Sequence, residues 1–78
     1  MELEISRHAQ RRMDERGITK AEVNEALENV EMSMPGDSAP VCYIGRTRDG
    51  LRLKICLSGT IEQGAEGVTL KLVTVHAY

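Results

Sequence analysis

Seventy-eight residues, 41% apolar and 28% charged, make one small globular domain and exclude a two-domain, disordered or collagen-like chain. Ten basic against twelve acidic side chains leave a net charge of −2, which excludes a grip on nucleic acid through bulk positive charge, so any anion site has to be local. No apolar run approaches the roughly 20 residues that cross a bilayer, and the start of the chain lacks a basic-then-apolar leader layout; the expectation is a cytoplasmic protein without a membrane anchor.

Residues 3–5 have the form of a short edge strand leading into a helix. Ser6 is placed to cap that helix, which runs to about residue 16, where Gly17 suits the left-handed residue that ends it. Thr19-Lys20-Ala21-Glu22 then forms a capping box, and a second helix is expected over residues 20–31. Its apolar residues Val23, Ala26, Leu27 and Val30 recur at helical spacing and build one stripe to bury. A loop is expected over residues 34–40.

From Val41 the period changes to two, giving strands over residues 41–46 and 51–57. Arg48-Asp49-Gly50 fits a hairpin loop with Gly50 at a positive-φ position. The implied register sets Thr47 opposite Leu51, Arg46 opposite Arg52 and Cys42 opposite Cys56. A Gly-rich loop over residues 58–67 leads to a last strand, about 68–77. The fold class is therefore α+β: an N-terminal helical hairpin packed on one face of a small antiparallel sheet, one domain spanning residues 1–78.

In this arrangement Leu51, Leu53, Ile55, Leu57, Val73 and Val75 lie beneath Ala9, Met13, Val23 and Leu27. Strict alternation puts Leu70, Leu72, Thr74, His76 and Tyr78 on the other face with Arg46, Arg52 and Lys54. That face is polar and mostly basic. Arg46 opposite Arg52 costs stability unless a ligand anion or a nearby carboxylate relieves it. Two cysteines without a C-x-x-C pair supply neither a disulfide framework nor a zinc series, and Cys42 and Cys56 are expected as reduced packing residues.

His8, Arg11, Arg12 and Glu15 share one face of the first helix. Histidine exchanges a proton near neutrality and arginine matches phosphate, so the pair can serve RNA cleavage without metal or cofactor. The bland reading for Arg12 and Arg16 is a solvated helix face, or an ion pair with Glu15 or Glu28. His76 and Tyr78, two apart on the last strand, point the same way, toward Arg52 and Lys54, which could hold a scissile phosphate. The competing view is that a strand end frays and these are exposed polar residues.

The stretch from Ser6 to Thr19 resembles the opening signature of a bacterial family catalogued as domain of unknown function 4258, with the pattern S-x-H-A-x-x-R-M-x-x-R-G-I and a capping Ser or Thr. Ser6, His8, Ala9, Arg12, Met13, Arg16, Gly17, Ile18 and Thr19 carry the match, and Tyr43-Ile44-Gly45, Leu53-Lys54-Ile55 and Val73-Thr74-Val75 fit its strands. The resemblance implies an architecture similar to RelE/ParE-like toxins within the barnase/EndoU/colicin/RelE-like RNase fold group. It brings His8, Arg12 and Arg16 forward, because packing and capping explain the other matched positions. The net acidity departs from the strongly basic character of those toxins.

The leading expectation is a metal-independent endoribonuclease domain, the toxin half of a toxin–antitoxin pair, with RNA as substrate and an antitoxin as partner. Its catalytic residues would be His8, Arg12 and His76, and its substrate-binding residues Arg16, Arg46, Arg52, Lys54 and Tyr78. A second expectation is a non-catalytic interaction module, pairing through an exposed sheet or edge strand with a partner or with a second copy as a homodimer. A third is a metal site built from His8, His76 and a cysteine.

Overall fold

The computed structural model describes residues 1–78 in the order β1 (Leu3–Ile5), α1 (Arg7–Arg16), α2 (Lys20–Glu28), β2 (Val30–Met34), β3 (Val41–Arg46), β4 (Arg52–Leu57), α3 (Ile61–Ala65) and β5 (Leu70–Ala77). One five-stranded sheet follows the order β1-β5-β4-β3-β2. It is mixed and not purely antiparallel, because β1 runs parallel to β5. The α+β class stands, but the chain opens with β1, and the helices lie on different strands: α1 on β5, α2 on β3 and β4.

Local signals that act through a few neighbouring atoms behave as expected. The Ser6 hydroxyl accepts from the Ala9 amide at 3.0 Å and Gly17 ends α1 at φ 67°. Ile18, just past that turn, donates to the Met13 carbonyl and buries its side chain. Both halves of the Thr19–Glu22 capping box form, and Gly50 closes the β3–β4 hairpin at φ 88°. Arg46 faces Arg52 and Cys42 faces Cys56, as the hairpin register requires.

Three expectations about elements need correction. The second helix stops at Glu28, and residues 30–34 pair with β3 as β2, because β3 has a free edge whose backbone groups need partners. The Gly-rich stretch contains the short α3, held by a second capping box between Thr60 and Gln63 and by the Tyr43 hydroxyl, which accepts from the Ile61 amide at 3.0 Å. Cys42 and Cys56 are joined in a disulfide instead of being reduced, the register having brought their Cα atoms to 4.0 Å.

The fourth correction concerns β5. Leu57 pairs with Leu72 but Cys56 pairs with Thr74, so β5 carries one extra residue, Val73. This bulge reverses the facing expected for Leu70, Leu72 and Val73 and leaves Val75 in the core and His76 on the open face, as expected. Leu70 and Leu72 turn under the helices and are fully buried, whereas Val73 packs on the opposite face beside Cys42, Cys56 and Ala39. Leu51, expected in the core, lies in the hairpin turn and is 39% exposed.

The main core joins Ala9 and Met13 of α1 and Val23, Ala26 and Leu27 of α2 to Leu53, Ile55, Leu57, Leu70, Leu72 and Val75 of the sheet. α2 comes so close to β3 that any side chain at Gly45 would collide with the Ala26 backbone. Gly45→Ala is therefore expected to destabilise the domain by about 1–3 kcal/mol, the usual cost of overpacking, measured by denaturant unfolding. Reducing the Cys42–Cys56 bond, whose partners are 14 residues apart, should cost about 3 kcal/mol on the chain-entropy account. Parallel thermal melts with and without a dithiol reductant check this, with the midpoint lower in the reductant.

Candidate active site

The sheet face turned away from α1 and α2 consists of short rows of side chains running across the strands. Met32, Ile44, Lys54 and His76 form one row, and Arg46 and Arg52 begin the next. His76 faces this way because it pairs directly with Lys54; the bulge at Val73 is what lets Leu70 and Leu72, earlier on the same strand, turn to the helical side instead. The Ser6 hydroxyl that caps α1 also donates to the Val73 carbonyl at 2.9 Å, and the Ser6 amide donates to Leu72. These bonds fix the start of α1 against the bulge.

β1 pairs with β5 only at residues 70–72, so α1 runs beside the remainder of β5. Arg12 and Arg16, one helical turn apart, reach that edge and form a cleft with Thr74, His76 and Ala77. His76 is half-buried there. Its pKa is lowered from 6.5, first by burial, then by the positive charges of Lys54, Arg12 and Arg16. The imidazole is thus held neutral, ready to accept a proton, in a ring of cations. No carboxylate relieves that ring: the two ion pairs of the molecule are Glu31 with Arg46 at 3.4 Å and Glu31 with Arg52 at 2.9 Å.

Three of the expected site residues, Arg12, Arg16 and His76, therefore meet at the cleft, and Lys54 stands beside it as the cross-strand partner of His76. His8 lies one turn before Arg12 on the same helical stripe, but it is exposed and does not line the cleft. Arg46 and Arg52 lie on the same sheet face yet are engaged by Glu31, and the Tyr78 side chain is 63% exposed while its amide donates to the Arg52 carbonyl. Neither Arg12 nor Arg16 pairs with Glu15 or Glu28; Arg16 is exposed and Arg12 partly so. Thr74 stands on this face as alternation along the last strand expects, although it was not named as a site residue. Glu31 was not singled out, because it reaches the face through the irregularity of β2, which neither a helical nor an alternating reading registers.

A metal site from His8, His76 and a cysteine does not form, since both sulfurs are in the disulfide and no three His, Cys, Asp or Glu side chains converge. A larger groove beside β1 is lined by Arg7, Arg11 and Lys71 but also by Glu4, Asp14 and Glu15. It has no histidine and its charges offset, so the smaller cleft is the better candidate for chemistry. No helix of the structure is long and apolar enough to cross a membrane.

The pattern described as domain of unknown function DUF4258 matches residues 5–75, from the end of β1 to the middle of β5. The chain belongs to this family. The matched DUF4258 segment holds Arg12, Arg16, Lys54 and the bulge, and stops one residue before His76. Neither the curated proteins nor the solved structures yield a match to the chain.

The electrostatic account predicts how His76 titrates. Its ring protons, followed by NMR, should report a pKa below 6.5, and Lys54→Gln or Arg12→Gln should raise it by removing a repelling charge. Because the unfolded chain binds this proton more tightly than the folded one, His76 favours folding above pH 6.5. That contribution is lost as pH falls from 6.5 through the depressed folded-state pKa.

Proposed function

We propose that this domain is a metal-independent endoribonuclease of RelE/ParE type, in which His76 is the general base and Arg12, Arg16 and Lys54 hold the scissile phosphate. The observation that carries the reading is one neutral-tending imidazole and two arginines at one cleft, with Lys54 beside the imidazole on the neighbouring strand and no carboxylate paired with any of the three cations. An RNA phosphodiester supplies what the cleft lacks, an anion, together with an adjacent 2′-hydroxyl whose proton a neutral imidazole can take. The 2′-oxygen then attacks phosphorus and the bond to the 5′-oxygen breaks. The products are a 2′,3′-cyclic phosphate and a 5′-hydroxyl, the leaving oxygen taking its proton from solvent.

Charge accumulating on the phosphate oxygens meets the guanidinium and ammonium groups, which are already in place and need no reorganisation. His8 is left outside this scheme as an exposed helix residue. The toxin–antitoxin assignment and the RelE-like relationship are parts of the same proposal, supported by the helices-on-sheet arrangement. The cytoplasm is the compartment where such a substrate is met.

The alternative, a non-catalytic interaction module, finds no apolar sheet surface in Leu70 and Leu72, which are buried. What favours it is β2, an edge strand with Val30 and Met32 exposed, where an antitoxin or a second copy could add a strand.

Purified protein incubated with labelled RNA, free and on ribosomes, tests the main reading. Cleavage to cyclic-phosphate ends is expected, with His76→Ala about 10²–10⁴-fold slower and His8→Ala near wild type. The rate should rise with pH through the depressed His76 pKa and level off above it. RNA left intact in both settings, or cut equally by folded His76→Ala, sinks the nuclease reading.

A further inference from the structure

Arg46 and Arg52 are an opposed like-charged pair, and one carboxylate holds both: Glu31 accepts from Arg46 Nε at 3.4 Å and lies 2.9 Å from Arg52 Nε. Glu31 reaches them because β2 carries its own irregularity. Val30 pairs with Gly45 and Met32 with Ile44, which leaves Glu31 as the extra residue, turned onto the face that bears His76. The three side chains all remain substantially exposed, between 35% and 48%. Ion pairs of that kind are weak and readily exchanged, whereas an arginine pair engages phosphate oxygens through several charge-assisted bonds.

We infer that Arg46 and Arg52 form a second phosphate subsite, occupied in the free protein by the Glu31 carboxylate and opened when a neighbouring phosphodiester of a bound RNA strand displaces it. The inference rests on the RNA reading of the His76 cleft. It adds a specificity device to that reading: an isolated phosphate at the cleft cannot displace Glu31, whereas a strand of several nucleotides can, because its first contact raises the local concentration of its next phosphate. Lys54 lies between the two subsites, one row from Arg52 on its own strand and beside His76 on the next, so the cationic track is continuous. Glu31 is then a gating residue that touches no reacting atom.

The test uses a fluorescent single-stranded RNA 12-mer carrying 2′-O-methyl groups, so that binding is read without cleavage. Anisotropy titrations compare wild type, Glu31→Gln, the triple variant Glu31→Gln/Arg46→Gln/Arg52→Gln, and Glu62→Gln as a control for net charge at the exposed α3. Glu31→Gln is expected to tighten binding on the order of three- to tenfold and to steepen the salt dependence by about 0.7 for one more phosphate neutralised. The triple variant should lose that gain, and Glu62→Gln should not reproduce it.

Equal tightening in Glu62→Gln, persistence of the gain in the triple variant, or no change in Glu31→Gln would each overturn the inference. If Glu31→Gln does not fold, the wild type answers alone. The Arg46 and Arg52 Nε–H signals should move on saturation with the same RNA, and signals that stay in place would overturn the subsite. Because this RNA cannot be cut, the subsite stands or falls independently of the His76 chemistry: binding gated by Glu31 with no cleavage of ordinary RNA would remove the nuclease and leave the subsite.

Discussion

The Ser6 hydroxyl stands between the Ala9 amide and the Val73 carbonyl, and three parts of the molecule meet through it. It ends the short parallel pairing of β1 with β5, starts α1, and satisfies the peptide group that the extra residue of β5 would otherwise leave without a partner. The direction in which α1 leaves the sheet follows from this anchor. So does the meeting of Arg12 and Arg16 with His76 across the strand edge, since one side of that cleft is set by the helix and the other by the strand beyond the bulge.

Positive charge is handled in two ways on the same sheet face. At Arg46 and Arg52 the chain supplies its own anion, Glu31, and two opposed guanidinium groups become tolerable. Around His76 it supplies none, and burial, together with the positive charges of Lys54, Arg12 and Arg16, makes the imidazole resist protonation. A chain with net charge −2 thus still presents a concentrated cationic track, because most of its acidic groups lie elsewhere. The net acidity is a property of the whole molecule and not of the cleft.

Much of the local architecture was legible in the sequence because it depends on contacts a few residues long. Ser6, Gly17, the Thr19–Glu22 box and the Arg48-Asp49-Gly50 turn all act within one turn of chain, and each does what its residue type dictates. The register of β3 against β4 followed from the hairpin loop and is correct to the residue. Features set at long range were not legible. Val30 continues the apolar period of α2, yet it belongs to a strand, because a free edge of β3 is available to it only in the folded sheet. The facing of Leu70, Leu72 and Val73 depends on where a bulge falls, and no pattern of alternation announces that. In the site, Arg12, Arg16, Lys54 and His76 were named but not their convergence, and the partner of Arg46 and Arg52 was missed because Glu31 sat in a presumed helix.

β5 lies between β1 and β4, so the strand nearest the C-terminus is the only link between the N-terminal strand and the hairpin. Leu3 finds its place opposite Leu70, and Ser6 opposite Val73, across nearly the whole chain. Closing such a loop is entropically slow, and little of the core is sealed until residues 70–77 insert. During synthesis the helices and the β3–β4 hairpin can form early, but Arg12 and Arg16 then face open solvent with no histidine opposite them. The cleft is assembled in the same event that completes the sheet, and a partly made chain cannot carry it.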